Sequence, residues 1–325
     1  MESAESDGAA PPRLEKWADP VWTATGERRA AVALRTEAGV GATTLWFNTG
    51  TLCNIACVNC YIESSPKNDR LVYITAAEVA DHLEQIAARG WPTQEIGFTG
   101  GEPFLNNEMI EIAEAALSRG HRVLILTNAM RPMLRKRMRA GLLDLKERYG
   151  AALVLRVSLD HYTAALHDEE RGAGAFEKAM RGLRWLGENG FEIHIAGRTM
   201  WDEPEAAARA GYAALFAAQG LAIDADDPVQ TMLFPEMTPA NAPPEITESC
   251  WGVLNKHPSE VMCASSRMVV KRKGAEKPVY LACTLLPYDA AFELGETAAE
   301  AEQSVALKHP YCASFCVLGG GSCSG

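Results

Sequence analysis

No stretch of this 325-residue sequence approaches 18 consecutive apolar residues, so nothing in it is expected to span a membrane. Its N-terminus, MESAESDGAAPP, lacks a basic segment followed by an apolar one and does not read as a secretory signal. Positive charge is also short: 31 Lys and Arg against 42 Asp and Glu give a formal net charge of -11. That balance disfavours a general nucleic-acid binder, because polyanions are held by clustered cations. The local exception is RPMLRKRMR, Arg131 to Arg139. It reads as a solvated helix face with Met133, Leu134 and Met138 turned inward, and an RNA-modifying role rests on it alone. A cytoplasmic protein is expected, in a compartment that keeps thiols reduced.

Cysteine is missing from the whole interior: none occurs in the 189 residues between Cys60 and Cys250. The nine that exist fall into two zones. Cys53, Cys57 and Cys60 form the first, and Cys250, Cys263, Cys283, Cys312, Cys316 and Cys323 the second. In a reducing compartment such grouping points to metal or redox chemistry rather than to disulfides.

Between the zones the chain repeats a strand-then-helix rhythm. TTLWFN, QEIGFTG, HRVLILTNA, LVLRVSLD and FEIHIAGRT read as strands, with LAIDA or VQTMLF supplying the last. A helix opening at Thr75 carries a capping box with Glu78 and closes at Gly90. About six β/α units with no hairpin signals predict an α/β fold with a parallel sheet, closed or partly closed into a TIM-like barrel. The expected organisation is a disordered or extended lead-in (1–42), a core barrel (43–225), a Pro-rich linker (226–249) and a Cys-rich C-terminal region (250–325). Chemistry in such barrels gathers after the C-terminal ends of the strands. The cysteine triplet, TGGEPF, TNAM and SLDH all fall there.

The triplet NTGTLCNIACVNCY spaces its thiols C-x3-C-x2-C. Four thiolates close a [4Fe-4S] cube as an electron carrier, whereas three leave one iron able to bind a small molecule. The alternatives are a Cys3His zinc site, which usually shows paired ligand halves and here lacks a nearby His, and chance grouping of buried cysteines.

CNIACVNC together with TGGEPFLN resembles the signature of the radical S-adenosylmethionine (radical SAM) enzymes. The resemblance implies a partial (β/α)6 barrel and a [4Fe-4S] cluster whose open iron is chelated by S-adenosyl-L-methionine. It further implies reductive cleavage to a 5′-deoxyadenosyl radical that abstracts hydrogen from substrate, and a reducing partner such as flavodoxin or ferredoxin. Carried over by position, Cys53, Cys57 and Cys60 hold the cluster, and Gly100, Gly101 and Glu102 bind the methionine amino group. A carboxylate is the right partner for an ammonium. Asn128 stands where the family often has TNG, and Ser158 and Arg198 where relatives place ribose and carboxylate contacts. A strand-end cap and a surface ion pair are the alternative readings of those two. The family commonly has an aromatic residue just before the third cysteine; this sequence has Asn59 there and Tyr61 just after Cys60.

The C-terminal region resembles the SPASM or twitch extensions of these enzymes, which hold auxiliary clusters. Its match is looser: the usual Gly-x4-Cys and C-x2-C-x5-C spacings are absent. The expected set is one auxiliary [4Fe-4S] cluster on Cys263, Cys283 and two of Cys312, Cys316 and Cys323, with Cys250 outside it and a zinc ribbon as the alternative. Two strand-like stretches around a Lys- and Gly-rich turn predict a hairpin that brings Cys263 and Cys283 together.

For the substrate, VSLDHYTAALHDEERG resembles the matching stretch of peptide-modifying members. Asp160 and His161 become candidates for proton transfer, against the plainer reading of an Asp that caps the next helix. Residues 1–42 are too short and polar for a peptide-recognition module, so both a peptide and a small metabolite stay open. A non-catalytic iron-sulfur carrier or sensor on a degenerate barrel is the alternative from another class.

Overall fold

The computed structural model describes residues 16–235 and 243–321. Six parallel strands lie side by side in chain order: β1 (Thr44–Asn48), β2 (Glu95–Thr99), β3 (Arg122–Thr127), β4 (Leu153–Ser158), β5 (Glu192–Thr199) and β6 (Thr231–Pro235). The sheet is open at β6, so the barrel is partial. Of the two segments offered for the sixth strand, the one around VQTMLF forms it. The parallel strands therefore run into the stretch expected to be linker, because Thr231 to Pro235 pair in register with Ile195 to Thr199.

Helices α1 (Ala76–Ala88), α2 (Met109–Leu117), α3 (Lys136–Tyr149), α4 (Ala164–Arg171), α5 (Ala175–Glu188) and α6 (Glu205–Gln219) fill the crossovers. The predicted capping box at Thr75 and Glu78 is present. Apolar residues on α1 (Val79, Leu83, Ile86) and α5 (Phe176, Ala179, Met180, Leu183) recur at helical spacing and pack on the sheet. Strand residues alternate between two cores. Leu45, Phe47, Ile96, Phe98, Val123 and Ile125 face the helices, whereas Trp46, Leu124 and Val154 belong to the core on the other face. Gly97 is required there, since a Cβ would stand 2.4 Å from the Trp46 ring.

The C-terminal region joins this sheet instead of sitting beside it. Strand β7 (Ser266–Val270) pairs in parallel with β1, and β8 (Val279–Leu281) and β9 (Glu293–Gly295) continue antiparallel. The expected hairpin is thus β7 and β8, with Met268 opposite Leu281.

The lead-in is extended, with short strands at Ala31–Val32, Arg35–Thr36 and Gly39–Val40. Residues 16–42, expected to be disordered or extended, carry buried Trp17, Ala30 and Val32 into the C-terminal core. Ala31 and Val32 pair with Ala306 and Val305. The buried Arg29 guanidinium donates to the carbonyls of Asp19, Lys16 and Trp22 at 2.7, 3.0 and 3.1 Å and pairs with Glu245 at 2.7 Å. A polar composition concealed these contacts because one Arg satisfies several backbone carbonyls at once. Residues 1–15 lie outside the described residues. Among the described residues, no helix is long and apolar enough to cross a membrane.

Candidate cofactor and substrate site

The triplet lies on the loop that leaves β1. Leu52 bridges to Ser65, and the Cys53 amide donates to the Ser65 carbonyl at 3.1 Å, so the segment is closed at its base. Thr51 exchanges hydrogen bonds with Leu71, and the Ser64 amide donates to the Cys60 sulfur at 3.3 Å. Cys53 is buried, and Cys57 and Cys60 are half-buried.

The GGE turn after β2 packs directly against this loop. The Gly101 amide donates to Gly50 and the Glu102 amide to Leu52. A Cβ on Gly101 would stand 2.1 Å from the Leu52 carbonyl oxygen, and one on Gly100, whose φ is +141°, 2.5 Å from that of Gly50. The two glycines are there because two backbones meet.

Glu102 has three partners within the chain. Its carboxylate accepts from the Thr127 hydroxyl at 2.9 Å, the Asn128 amide at 2.9 Å and the Phe104 amide at 3.2 Å. It therefore ties the β2 loop to the end of β3, and the backbone of Gly100 and Gly101 lines the cavity instead. Burial pushes its pKa up to about 7 despite the three donors. Asn128 does line the cavity; its amide nitrogen donates to Asn54 at 3.0 Å and lies 3.9 Å from the Cys53 sulfur. Ala129, in the place of the family's TNG glycine, takes the left-handed conformation that glycine favours, with φ of 55°.

One cavity unites these parts. The three cysteines, Gly100, Gly101, Asn128, Ser158 and Arg198 all line it. The opposite wall comes from Phe234 of β6 and from Leu285 and Phe315 of the C-terminal region. Tyr61 also lines it, so the aromatic residue after Cys60 reaches the cavity although Asn59 holds the usual aromatic position. Asn59 is used structurally: its side-chain amide donates to Glu170 at 2.8 Å.

Asp160 and His161 part company. Asp160 lines the cavity but caps no helix; Arg171 donates to both its carboxylate oxygens, and that partner holds its pKa below the usual range in spite of burial. Such an Asp is a poor proton acceptor. The His161 ring instead accepts from Thr163 and faces Glu203 at 3.3 Å, stacked on Tyr162, and it does not line the cavity. Arg198 forms a buried pair with Glu170 at 3.2 Å rather than a surface one.

Arg171 and Glu170, at the end of α4, were not picked out from the sequence. Arg171 lines the cavity and is close enough to Cys53 and Cys57 for their charges to interact. The available signal was an Arg closing the helix that follows a strand-end Asp. Burial pushes the Cys53 thiol up to about 12 and raises the Cys57 thiol as well, so these two need a cationic partner to ionise. Three thiols on one wall, a backbone cradle of glycines and the Arg171 guanidinium fit a multi-iron cluster whose own charge supplies the rest.

The second zone gathers as well. Cys263 and Cys312 are buried in one apolar cluster with Trp17, Val32 and Val317, and Cys250, Cys283 and Cys316 pack against it. Burial raises the Cys312 thiol, and Cys283 and Cys263 raise it further, so these three lie within electrostatic reach of one another. Cys312 and Cys316 share one π-helical turn, Cys312–Val317, a geometry frequent at functional sites. The buried Arg267 reaches the Cys263 carbonyl at 2.6 Å and interacts with the charges of Cys263 and Cys283. Each zone thus has its own arginine, half-buried Arg171 in the first and buried Arg267 in the second. Cys250 accepts instead from the Thr247 amide at 3.4 Å, and its sulfur lies 3.3 Å from the Thr247 hydroxyl. Cys323 lies outside the described residues. Among the described residues, no three His, Cys, Asp or Glu side chains converge closely enough for one metal ion.

Residues 47–205 match the model of the Radical SAM superfamily, and over this core the chain belongs to that superfamily. It is 28% identical over 155 residues to the antilisterial bacteriocin subtilosin biosynthesis protein AlbA of Bacillus subtilis, covering 46% of this chain and 32% of that protein. It is 31% identical over 143 residues to the mycofactocin maturase MftC of Mycobacterium ulcerans, covering 43% and 35%. It is 31% identical over 146 residues to the AdoMet-dependent heme synthase of Oleidesulfovibrio alaskensis, covering 44% and 34%. The matched segments thus span about a third of these relatives' length. Among solved structures, anSMEcpe with bound AdoMet superposes with a TM-score of 0.56 at 14% identity, covering 83% of this chain and 82% of that one. Streptococcus suis SuiB bound to S-adenosylmethionine gives 0.56 at 11%, covering 78% and 63%. At these identities the likeness is one of fold.

Proposed function

We propose that this protein is a radical SAM enzyme that abstracts hydrogen from a peptide held between its two thiol zones, in a net oxidation. The observation carrying the proposal is the shared cavity, whose walls come from the Cys53 loop on one side and from Leu285 and Phe315, near Cys283 and Cys316, on the other. When bound, a [4Fe-4S] cluster on Cys53, Cys57 and Cys60 with S-adenosyl-L-methionine supplies the 5′-deoxyadenosyl radical after one-electron reduction.

The chain's own residues do the rest. The loop closed by Cys53 and Ser65 fixes the three sulfurs relative to one another, and Gly100 and Gly101 offer backbone to the methionine end. Arg171 offsets negative charge beside Cys53 and Cys57. Tyr61, Phe234, Leu285 and Phe315 exclude water and favour an apolar side chain of the substrate. The C-terminal thiols, grouped around Cys263, Cys283 and Cys312, hold an auxiliary [4Fe-4S] cluster suited to accept the electron that an oxidation releases. The peptide reading draws support from the relatives named for bacteriocin biosynthesis and maturation, and the aromatic wall suits an aliphatic or aromatic side chain. A flavodoxin or ferredoxin in the cytoplasm would supply the reducing electron.

The test is anaerobic reconstitution, iron and sulfide counting, and a dithionite-driven 5′-deoxyadenosine assay on wild type and on the Cys53, Cys57 and Cys60 triple Ala variant. About eight irons in wild type, about four in the variant, and deoxyadenosine from wild type only are expected. Four or fewer irons in wild type with no cleavage would overturn the reading.

A further inference from the structure

A second groove shares Ile55 with the first cavity but opens elsewhere. Ile55, Met130 and Leu134 give it an apolar floor, and Arg131, Lys178 and Arg181 also line it. All three cations are exposed. The neighbouring Arg137 and Arg184 are paired with Glu111 and Glu177, whereas no ion pair among the described residues engages these three. In a chain of net charge -11, this is a local field of the opposite sign.

The groove also touches the cysteine loop. Asn54, next to Cys53, lines it; the Asn54 side chain contacts the Met130 sulfur at 3.7 Å and accepts from Asn128 at 3.0 Å. That Asn128 nitrogen is the one lying 3.9 Å from the Cys53 sulfur. One layer of side chains therefore separates the groove from the first cysteine.

We propose that this groove docks a small acidic electron-transfer protein of the flavodoxin type. The inference rests on the radical SAM reading above and adds the surface through which the electron arrives. An apolar floor with a cationic rim suits a transient redox contact: the rim steers an acidic partner and the floor gives a small buried area. In the transfer, the carrier's flavin hydroquinone gives up one electron and becomes the semiquinone, and that electron would reduce by one the iron-sulfur cluster that Cys53, Cys57 and Cys60 would hold. Delivery here leaves the substrate cavity unobstructed.

The experiment uses recombinant flavodoxin and the R131E/K178E/R181E variant, with K136E/R139E/R137E as an exposed charge control on the neighbouring helix. Binding is titrated by flavin fluorescence at low and physiological salt, and deoxyadenosine is measured with reduced flavodoxin and separately with dithionite. Expected are binding to wild type that weakens with salt, at least about tenfold weaker binding by the groove variant, and a matching loss of flavodoxin-driven turnover with dithionite-driven turnover retained. Equal affinity of wild type and groove variant, an equal loss in the control, or salt-sensitive retention of RNA in place of flavodoxin would each overturn the docking site. Absence of dithionite-driven cleavage by wild type would count against the enzyme reading, while the binding titration still decides the docking one.

Discussion

Asp160 and Arg171 face each other in a buried two-point ion pair, Nε to Oδ2 at 2.6 Å and Nη2 to Oδ1 at 2.9 Å, on the cavity wall beside the cysteine loop. Removing one partner strands the other's charge in a low-dielectric site, so Arg171→Leu is expected to cost about 3 to 5 kcal/mol of stability. The double variant Asp160→Asn with Arg171→Gln should lose less than the sum of the single variants. Urea denaturation of the metal-free proteins measures both, and additive losses would contradict the pairing. His161→Ala, whose ring faces Glu203, should leave dithionite-driven deoxyadenosine formation within about twofold, a test of its exclusion from the chemistry.

The contact between Gly101 and Leu52 leads to a second prediction. Gly101→Ala must push a methyl into the Leu52 carbonyl, which is backbone and cannot swing aside. A loss of about 2 to 4 kcal/mol is expected, together with poorer iron incorporation, because the same shift displaces Cys53. Gly90→Ala meets no atom within 4 Å but sits at φ of +66°, so it should cost only about 1 kcal/mol and leave iron content unchanged. Equal iron loss in both variants would show that the close approach at Gly101 is not what positions the loop.

Much of the core was legible because its signals are local. The capping box at Thr75, the glycines ending helices and the alternating strands each follow from a few neighbouring residues, and so does the placing of the cysteine triplet after β1. What escaped depends on distant partners. Arg171 is one of 31 Lys and Arg side chains and has no special spacing until the fold sets it across from Asp160, about one loop and one helix away. The lead-in looked polar because Arg29 hides its charge against backbone carbonyls. The motif picked out Glu102, but not its partners Thr127 and Asn128, which come from the end of the next strand. Likewise β7 reads as half of a hairpin; that it also pairs with β1 is a long-range choice.

Glu102 carries a pH signature. Burial raises its carboxyl pKa in the folded state to about 7, from 4.5 in the unfolded chain. Between those values unfolding releases a proton, so this group's contribution makes the metal-free protein less stable as pH rises, by up to about 3 kcal/mol in total, and is flat above about 7. The buried His167, His194 and His309, whose pKa values burial lowers to about 4, act in the opposite sense between that value and 6.5. Comparing wild type with Glu102→Gln across pH 5 to 8 isolates the carboxyl: the variant should lack the falling component. Parallel pH profiles would mean that Glu102 stays ionised on its three donors.

The C-terminal thiols separate by their surroundings, and that separation is testable without knowing the substrate. Cys263 and Cys283 raise the Cys312 thiol beyond what burial does, Cys316 shares the π-helical turn of Cys312, and Arg267 interacts with the charges of Cys263 and Cys283. Cys250 is already engaged by the Thr247 amide and hydroxyl. Cys312→Ala is therefore expected to lower the iron content by about four per chain while dithionite-driven deoxyadenosine formation, which depends on the first zone, persists. Cys250→Ala should keep the full complement of iron. Because the two zones have separate cysteines and separate arginines, loss of one cluster need not entail loss of the other. Loss of about four irons from the Cys250 variant, with retention by the Cys312 variant, would move the second site to a different set of thiols.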